Sequence, residues 1–523
     1  MTTYLHNISI LILTLSMLSM VSCTADFADY NTNPNQVTAE QMNALNYRTG
    51  TKVLALQNLV IPVEEHMYQF NESLSGGPFA GYIGSTVDTW ISRFETFNPS
   101  DDWRKWPFAN VMTEMYAPYR GIVNGTTDEL ALAFAKLLRV SIMHRMTDSY
   151  GPIPYSDAIS NEGLFVKYDS QELVYETMFK ELDEAIETFE ANRALSASAW
   201  RTYDNVYFGD LAKWCRYANS LKLRMAMRLS YVKPALARQK AGEAIAAGAI
   251  ETNADNAAMH AAENRTTLIY NDWNDHRVGA DILCYMNGYK DPRREKMFLK
   301  NSKGDFAGIR IGAKVSSKAK AITNYSNMIV TSSTPYLWFN AAEAAFLRAE
   351  YELRWGDAVK ARKCYEDGIR LSFEERKAEG AETYLTDKTA KPSRCVDPLG
   401  MYSVLAPPSD ITIAWENEAA PERNLERIIT QKWIAIFPLG VEAWSEYRRT
   451  GYPKLLDAPE DLSGGTVDLN HHARRLTYPV EEYQMNAENL REAVSTLDQE
   501  TSGNRKGDIM GTRIWWDVKS YIN

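Results

Sequence analysis

Cysteine and histidine are scarce in this chain. Its 523 residues include 5 Cys and 7 His. Cys23, Cys215, Cys284, Cys364 and Cys395 show no CxxC spacing and no histidine at zinc-ligand spacing. A structural zinc site and a disulfide framework are therefore unexpected, and a chain this long buries enough core to do without staples. His66 follows Glu64 and Glu65, but no second histidine completes HExxH. His471 and His472 lie close to Arg474 and Arg475, poor company for a cation. GxSxG, P-loop and GxGxxG patterns are missing as well. No catalytic residue, metal or cofactor is expected. Carboxylates are plentiful, so a glycosidase pair remains an alternative to be tested.

Basic tracts are also lacking. The formal net charge is −10, and no run of Lys and Arg is interleaved with aromatics, which argues against nucleic acid as a partner. Long apolar runs are confined to the start. Ile8–Val21 is nearly continuous apolar, too short for a comfortable membrane span and suited to a signal-peptide core. It runs into Leu18-Ser19-Met20-Val21-Ser22-Cys23, a small residue and then cysteine, which looks like a lipobox. The n-region before it carries no Lys or Arg. The expected organisation is a lipoprotein signal peptide over residues 1–22, acylation of Cys23, a tether over 23–38 and a single domain over 39–523.

The remainder is ordinary globular composition, 45% hydrophobic and 24% charged, with an excess of large aromatics, 29 Tyr and 13 Trp. Most should pack in the core; those in loops offer flat faces to a ligand. Thr38 is placed to cap a helix running toward Val60. Leu130, Phe134, Leu137 and Leu138 fall on one helical stripe, as do Val174, Met178, Leu182, Ala185 and Phe189, and Leu211, Trp214, Cys215 and Ala218. No strand alternation of similar length occurs, so the fold is expected to be mostly α. Residues 341–373 read as a helical hairpin, with Ala341–Arg354 and Ala358–Phe373 joined at Trp355-Gly356-Asp357. Ala361 against Tyr365, with Ile369 and Phe373 on the same face, is the tetratricopeptide pattern.

Long irregular segments interrupt the helices. Phe70–Asn98 is rich in Gly, Ser and aromatics, Glu251–Asp275 is polar with Tyr270 and Trp273, and Glu379–Ala420 is a polar insertion. Loops of this length carry function or are disordered, and their aromatics favour function.

Several longer motifs carry a family resemblance over nearly the whole chain. Arg145–Ala158 resembles the "TDxYGDIPYSEA" signature of the SusD/RagB family, with Pro152 where Asp is common. Tyr217–Arg228 is similar to its "ANSLKLRLAMR" helix, and Tyr289–Arg293 to its "DPR" turn. Gln431–Ala435 and Glu442–Pro453 resemble its "QKW…EAWxxYRRTGYP" block, followed in order by Arg474–Pro479 and Trp515-Trp516-Asp517. Most of these residues read as scaffold. Arg224 and Arg228, at i, i+4, are placed to hold carboxylates or carbonyls of neighbouring repeats, and Trp433 and Trp444 to fill core. The resemblance implies a scaffold of about four tetratricopeptide-like helix pairs with irregular ligand-binding loops on one side. The pairs would be Ala39–Val60 with Trp106–Val123, Asp128–Asp148 with Gln171–Phe189, Gly209–Ser230 with Pro234–Ala247, and Ala341–Arg354 with Ala358–Phe373. It further implies a lipid-anchored outer-membrane protein facing outward. Such a protein takes an oligosaccharide, or a peptide in some members, and delivers it to a SusC-like TonB-dependent β-barrel transporter. An assembly scaffold of tetratricopeptide type is the competing reading.

A glycan site needs ring faces beside short polar side chains. Tyr82 and Trp90 with Asp88, and Tyr270 and Trp273 with Asp272 and Asn274, meet that requirement. Trp103, beside Asp101 and Asp102, is a third candidate.

Overall fold

The computed structural model describes residues 46–160, 165–194, 200–468 and 472–520. The expected lipidation site Cys23, the signal segment and the tether lie outside those residues. From Thr49 onward the described chain gathers around one large core.

Helices dominate. In chain order the principal ones are α1 (Tyr47–Val60), α2 (Val111–Val123), α3 (Glu129–Tyr150), α4 (Gln171–Ala191), α5 (Leu211–Arg228), α6 (Pro234–Ala247), α7 (Ala280–Gly288), α8 (Ala341–Trp355), α9 (Ala358–Glu375), α10 (Pro421–Ala435), α11 (Gly440–Thr450) and α12 (Ala487–Glu500). Side-chain caps start many of them. Asp128 accepts from the amides of Leu130 and Ala131, Ser170 from Leu173, Asp210 from Lys213, Asn340 from Glu343, and Asp357 from Val359 and Lys360. Each such cap contributes on the order of 1 kcal/mol.

The stripes read from the sequence are the buried faces. Phe134, Leu137, Leu138, Val174, Met178, Leu182, Ala185, Phe189, Trp214 and Ala218 are all fully buried. α3 packs on α4, α5 on α6, and α8 on α9, which are three of the expected pairs. In the last, Ala361 and Tyr365 are buried as the repeat pattern requires, and the Tyr365 hydroxyl donates to the carbonyl of Ile413 at 2.6 Å. In the remaining pair the expected helix start, Thr38 and residues 39–45, lies outside the described residues, and the second helix differs in detail. Trp106–Asn110 forms a π-helical turn, and α2 begins only at Val111 and packs on α3. A proline at the second position of the turn, Pro107, removes one backbone donor there.

Charges, unusually, fill the space between helix layers. Arg224 forms a two-pronged pair with Glu343 at 2.8 and 2.7 Å and also donates to the Trp338 carbonyl. Arg228 bonds Asp148, Glu442 and Glu446. Asp148 also accepts from Tyr175 at 2.6 Å and from the Trp516 indole at 2.8 Å. Arg448 donates to the carbonyls of Asp148 and Arg474. Trp433 and Trp444 are core. The motif residues thus do structural work: a buried charge persists only when paired and hydrogen-bonded.

Strands among the described residues are short: β1 (Ile83–Ser85), β2 (Ala257–Met259), β3 (His276–Val278), β4 (Phe298–Leu299), β5 (Asn327–Met328) and β6 (Tyr336–Phe339). They form antiparallel pairs β1–β3, β2–β6 and β4–β5. The β1–β3 pair matters most, because it joins two aromatic loops far apart in sequence. No helix among the described residues is long and apolar enough to cross a membrane.

Candidate functional site

Register Ser85↔His276 puts the loop after β1 directly beside the loop before β3. The Thr86 amide donates to the Asp275 carbonyl at 2.9 Å, and its hydroxyl to the Asn274 carbonyl at 2.5 Å. Asp275 is held by Gln69 at 3.1 Å and Lys318 at 2.6 Å. Asn274 takes φ +56°, a left-handed conformation that asparagine tolerates. Its side-chain carbonyl accepts from Arg277 at 2.8 Å. Gly279, just past β3, lets the chains close up: a Cβ there would stand 2.4 Å from the Gly81 carbonyl.

The paired loops and the turns facing them carry a wall of partly exposed rings. Phe70 lies flat on Trp106, centroids 5.2 Å apart and planes 6° apart. Trp103 meets Phe70 edge-on at 5.7 Å and Trp90 at 5.2 Å. At the other end His66 stacks on Trp106 at 6.1 Å and meets Trp273 at a tilt, 5.2 Å between centroids. Phe94, from the buried side, backs Trp103 at 6.0 Å. Phe70 and Trp106 both sit in π-helical turns, over Gln69–Gly76 and Trp106–Asn110, and Trp273 follows a third, Leu268–Asp272. Such turns aim side chains off the regular helical face and gather at functional positions.

Polar groups border the rings. Asp88, Asp101, Asp102, Asn271 and Asp272 are exposed. Glu64, Glu65 and His66 stand close enough to share a cation. Glu65, however, is already paired with both prongs of Arg265, which holds its carboxyl below the usual range. His276 lies behind Trp90 at 6.2 Å; burial lowers its pKa to about 4, so it is neutral near pH 7.

Of the residues picked from sequence, Trp90, Trp103 and Trp273 converge on this wall, with Asp88, Asp272 and Asn274 at its border. Tyr82 and Tyr270 do not present a face and are corrected. Tyr82 is fully buried, stacks on Trp433 at 5.4 Å and donates its hydroxyl to the Trp433 carbonyl. Tyr270 is 1% exposed, and its hydroxyl bonds Ser73 at 2.7 Å. Phe70, Trp106 and His66 join the wall without a local signal in the sequence: Trp106 begins an expected helix, and it is the π turn that brings it to the wall.

A contiguous run of ring faces, each partly open and rimmed by carboxylates and amides, suits a ligand with alternating apolar faces and hydroxyls.

The family described as "SusD-like: Susd and RagB outer membrane lipoprotein" matches residues 29–517. The chain belongs to the SusD-like family. A SusD homologue from Bacteroides thetaiotaomicron is 49% identical, with a TM-score of 0.87, covering 91% of this chain and 100% of that one. A SusD homologue from Bacteroides uniformis is 41% identical, with a TM-score of 0.84 and coverage of 90% and 100%. A chitin-binding SusD homologue from Flavobacterium johnsoniae is 34% identical, with a TM-score of 0.85 and coverage of 90% and 99%. No curated protein matches the chain. The helical scaffold of this SusD-like chain is thus shared with solved relatives.

Proposed function

We infer that this SusD-like protein is an outer-membrane, lipid-anchored receptor for oligosaccharides. The observation that carries this reading is the wall formed by Trp273, His66, Trp106, Phe70, Trp103 and Trp90. Sugar rings present C–H faces to indoles and hydroxyls to carboxylates and amides, so neighbouring residues of one glycan can each find a ring and a polar partner. Capture requires no transition state, and the chemistry needed stops at stacking and hydrogen bonding. The family's description as outer-membrane lipoproteins supports the location.

In this reading Cys23 is acylated, the chain faces the exterior, and the captured glycan passes to a SusC-like TonB-dependent β-barrel. Affinity purification from native outer membrane should recover such a barrel; a pull-down free of any large β-barrel counts against the delivery step. The ligand test is a glycan array followed by calorimetry. Chitin oligosaccharides come first, because one relative at 34% identity binds chitin. Binding of peptides and not glycans would replace the ligand class, and cleavage of the bound glycan would replace the receptor by a hydrolase.

A further inference from the structure

α7 leaves β3 and carries Cys284 on its buried face; the polar segment after α9 returns to that face and brings Cys395 against it. The two thiols, with Ala280 and Leu456, form a small cluster of their own, 3% and 4% exposed. The backbone is fastened at the same place. Ser393 donates both its amide, at 2.8 Å, and its hydroxyl, at 3.1 Å, to the Cys284 carbonyl. One turn further along α7 the contact is so close that a Cβ at Gly288 would stand 2.1 Å from the Lys391 carbonyl. Beyond Cys395 the segment folds on itself. The Val404 amide donates to the Cys395 carbonyl at 3.0 Å, and Asp397 accepts from the amides of Met401 and Tyr402 and from the Tyr325 hydroxyl.

We propose that Cys284 and Cys395 are a disulfide-forming pair that staples the segment after α9 to α7, and through β3 to the frame of the aromatic wall. A chain exported to the outer membrane crosses an oxidising compartment, where a juxtaposed thiol pair is oxidised instead of being kept reduced. The oxidant is a protein or small-molecule disulfide. The thiolate of one cysteine attacks one of its sulfurs, forming a mixed disulfide and expelling one oxidant thiolate. The other cysteine then gives up its proton and attacks the captured cysteine sulfur, expelling the second. The two protons end on the two released thiols: the pair is oxidised by two electrons and the oxidant reduced by two. Both positions are closed to a bulky oxidant once the segment has packed, so the exchange belongs to folding.

The cross-link separates cleanly by trypsin. Cys284 falls in the peptide Val278–Lys290 and Cys395 in Cys395–Arg423, one cysteine in each. Full-length protein, exported by its host, and a second sample unfolded and refolded in a glutathione redox buffer are alkylated in denaturant without reduction, digested and weighed. The expected result in both is the joined pair, two hydrogens lighter than the sum of the reduced peptides and split by phosphine. In Cys284→Ser the peptide Cys395–Arg423 should instead appear alkylated, which excludes scrambling with Cys215 or Cys364. Alkylated Cys284 and Cys395 in both wild-type samples overturn the proposal, as does pairing of either with another cysteine. The readout involves no glycan, so its failure leaves the receptor reading untouched.

Discussion

Trp90 stands edge-on to Trp103, with ring centroids 5.2 Å apart and planes at 89°. The edge of one indole meets the negative face of the other, an arrangement that fixes both rings without covering them. Trp103 also touches Phe70 and Phe94, so it is the joint of the wall as well as part of its surface. Replacing Trp90 or Trp273 by Ala should weaken glycan binding by about 1–3 kcal/mol, if stacking on a sugar resembles stacking on other flat rings. Trp103→Ala should cost at least as much, since its loss also frees Trp90 and Phe70. Calorimetry on the best array hit checks this. Three variants that keep a native circular dichroism spectrum and parental affinity move the site elsewhere.

Tyr82→Phe and Tyr270→Phe are the controls. Each hydroxyl serves a buried partner, the Trp433 carbonyl for one and Ser73 for the other. Losing such a bond costs about 1 kcal/mol of stability. Binding should be unchanged while the urea midpoint falls slightly. A loss of affinity without loss of stability would restore either tyrosine to the ligand site.

These residues also mark what was legible in the sequence. The helical scaffold could be read because its signal is periodic: the stripes at Phe134 and Val174 and the alanine-to-tyrosine contact in α9 depend on neighbours along the chain. The motif arginines could be read as scaffold because Arg224 and Arg228 share a helix face. The site was legible only in part. Trp90 and Tyr82 satisfy the same local rule, an aromatic in a glycine-rich loop near a polar side chain. What separates them is a contact with Trp433, hundreds of residues away, to which no local pattern points. Phe70 and Trp106 were missed because the π turns that expose them leave no periodicity to read. The nearness of Cys284 to Cys395, likewise, depends on a returning segment.

The buried charges predict large costs for small changes. Arg449 makes a two-pronged pair with Glu350 at 2.6 and 2.7 Å, both side chains fully buried, and a second with Glu446. Glu350→Gln leaves Arg449 with Glu446 alone, and Arg449→Met leaves Glu350 with Arg354 alone; each takes a partner from a buried charge and should cost up to about 3–5 kcal/mol. Removing both together should cost clearly less than the sum of the singles. Urea unfolding of the four proteins measures the coupling. Additive effects would mean that the pair contributes packing alone.

Cys23 gives a prediction about location. The apolar run Ile8–Val21 leads into Ser22-Cys23, where cleavage and acylation are expected. Growth with a clickable fatty acid should label the full-length protein, and Cys23→Ala should abolish the label and release the chain from the membrane fraction. Persistent label in the variant contradicts lipidation at this position.

The last prediction concerns pH. Asp281, on α7 one turn before Cys284, is fully buried, and its carboxylate accepts from the Leu456 amide at 2.6 Å. Desolvation outweighs that bond and raises its pKa from 3.8 to about 7. The sign follows from linkage. The folded protein keeps this proton up to about pH 7, whereas the unfolded chain releases it near 3.8. The stabilisation from the neutral form is therefore complete below 3.8 and is lost as pH rises through 7, a change on the order of 4 kcal/mol for one proton over that interval. Other buried acids act in the opposite sense: paired Glu442 has its pKa lowered to about 2 by Arg228 and Lys432, despite its burial. The total pH profile thus mixes contributions, and the informative quantity is a difference. Asp281→Asn keeps an acceptor for Leu456 and cannot ionise. Its stability relative to wild type should rise steadily between pH 4 and pH 8, measured by urea unfolding at several pH values. A difference independent of pH would show that Asp281 is ionised in the folded protein throughout that range, with water or Arg310 supplying the stabilisation that burial removes.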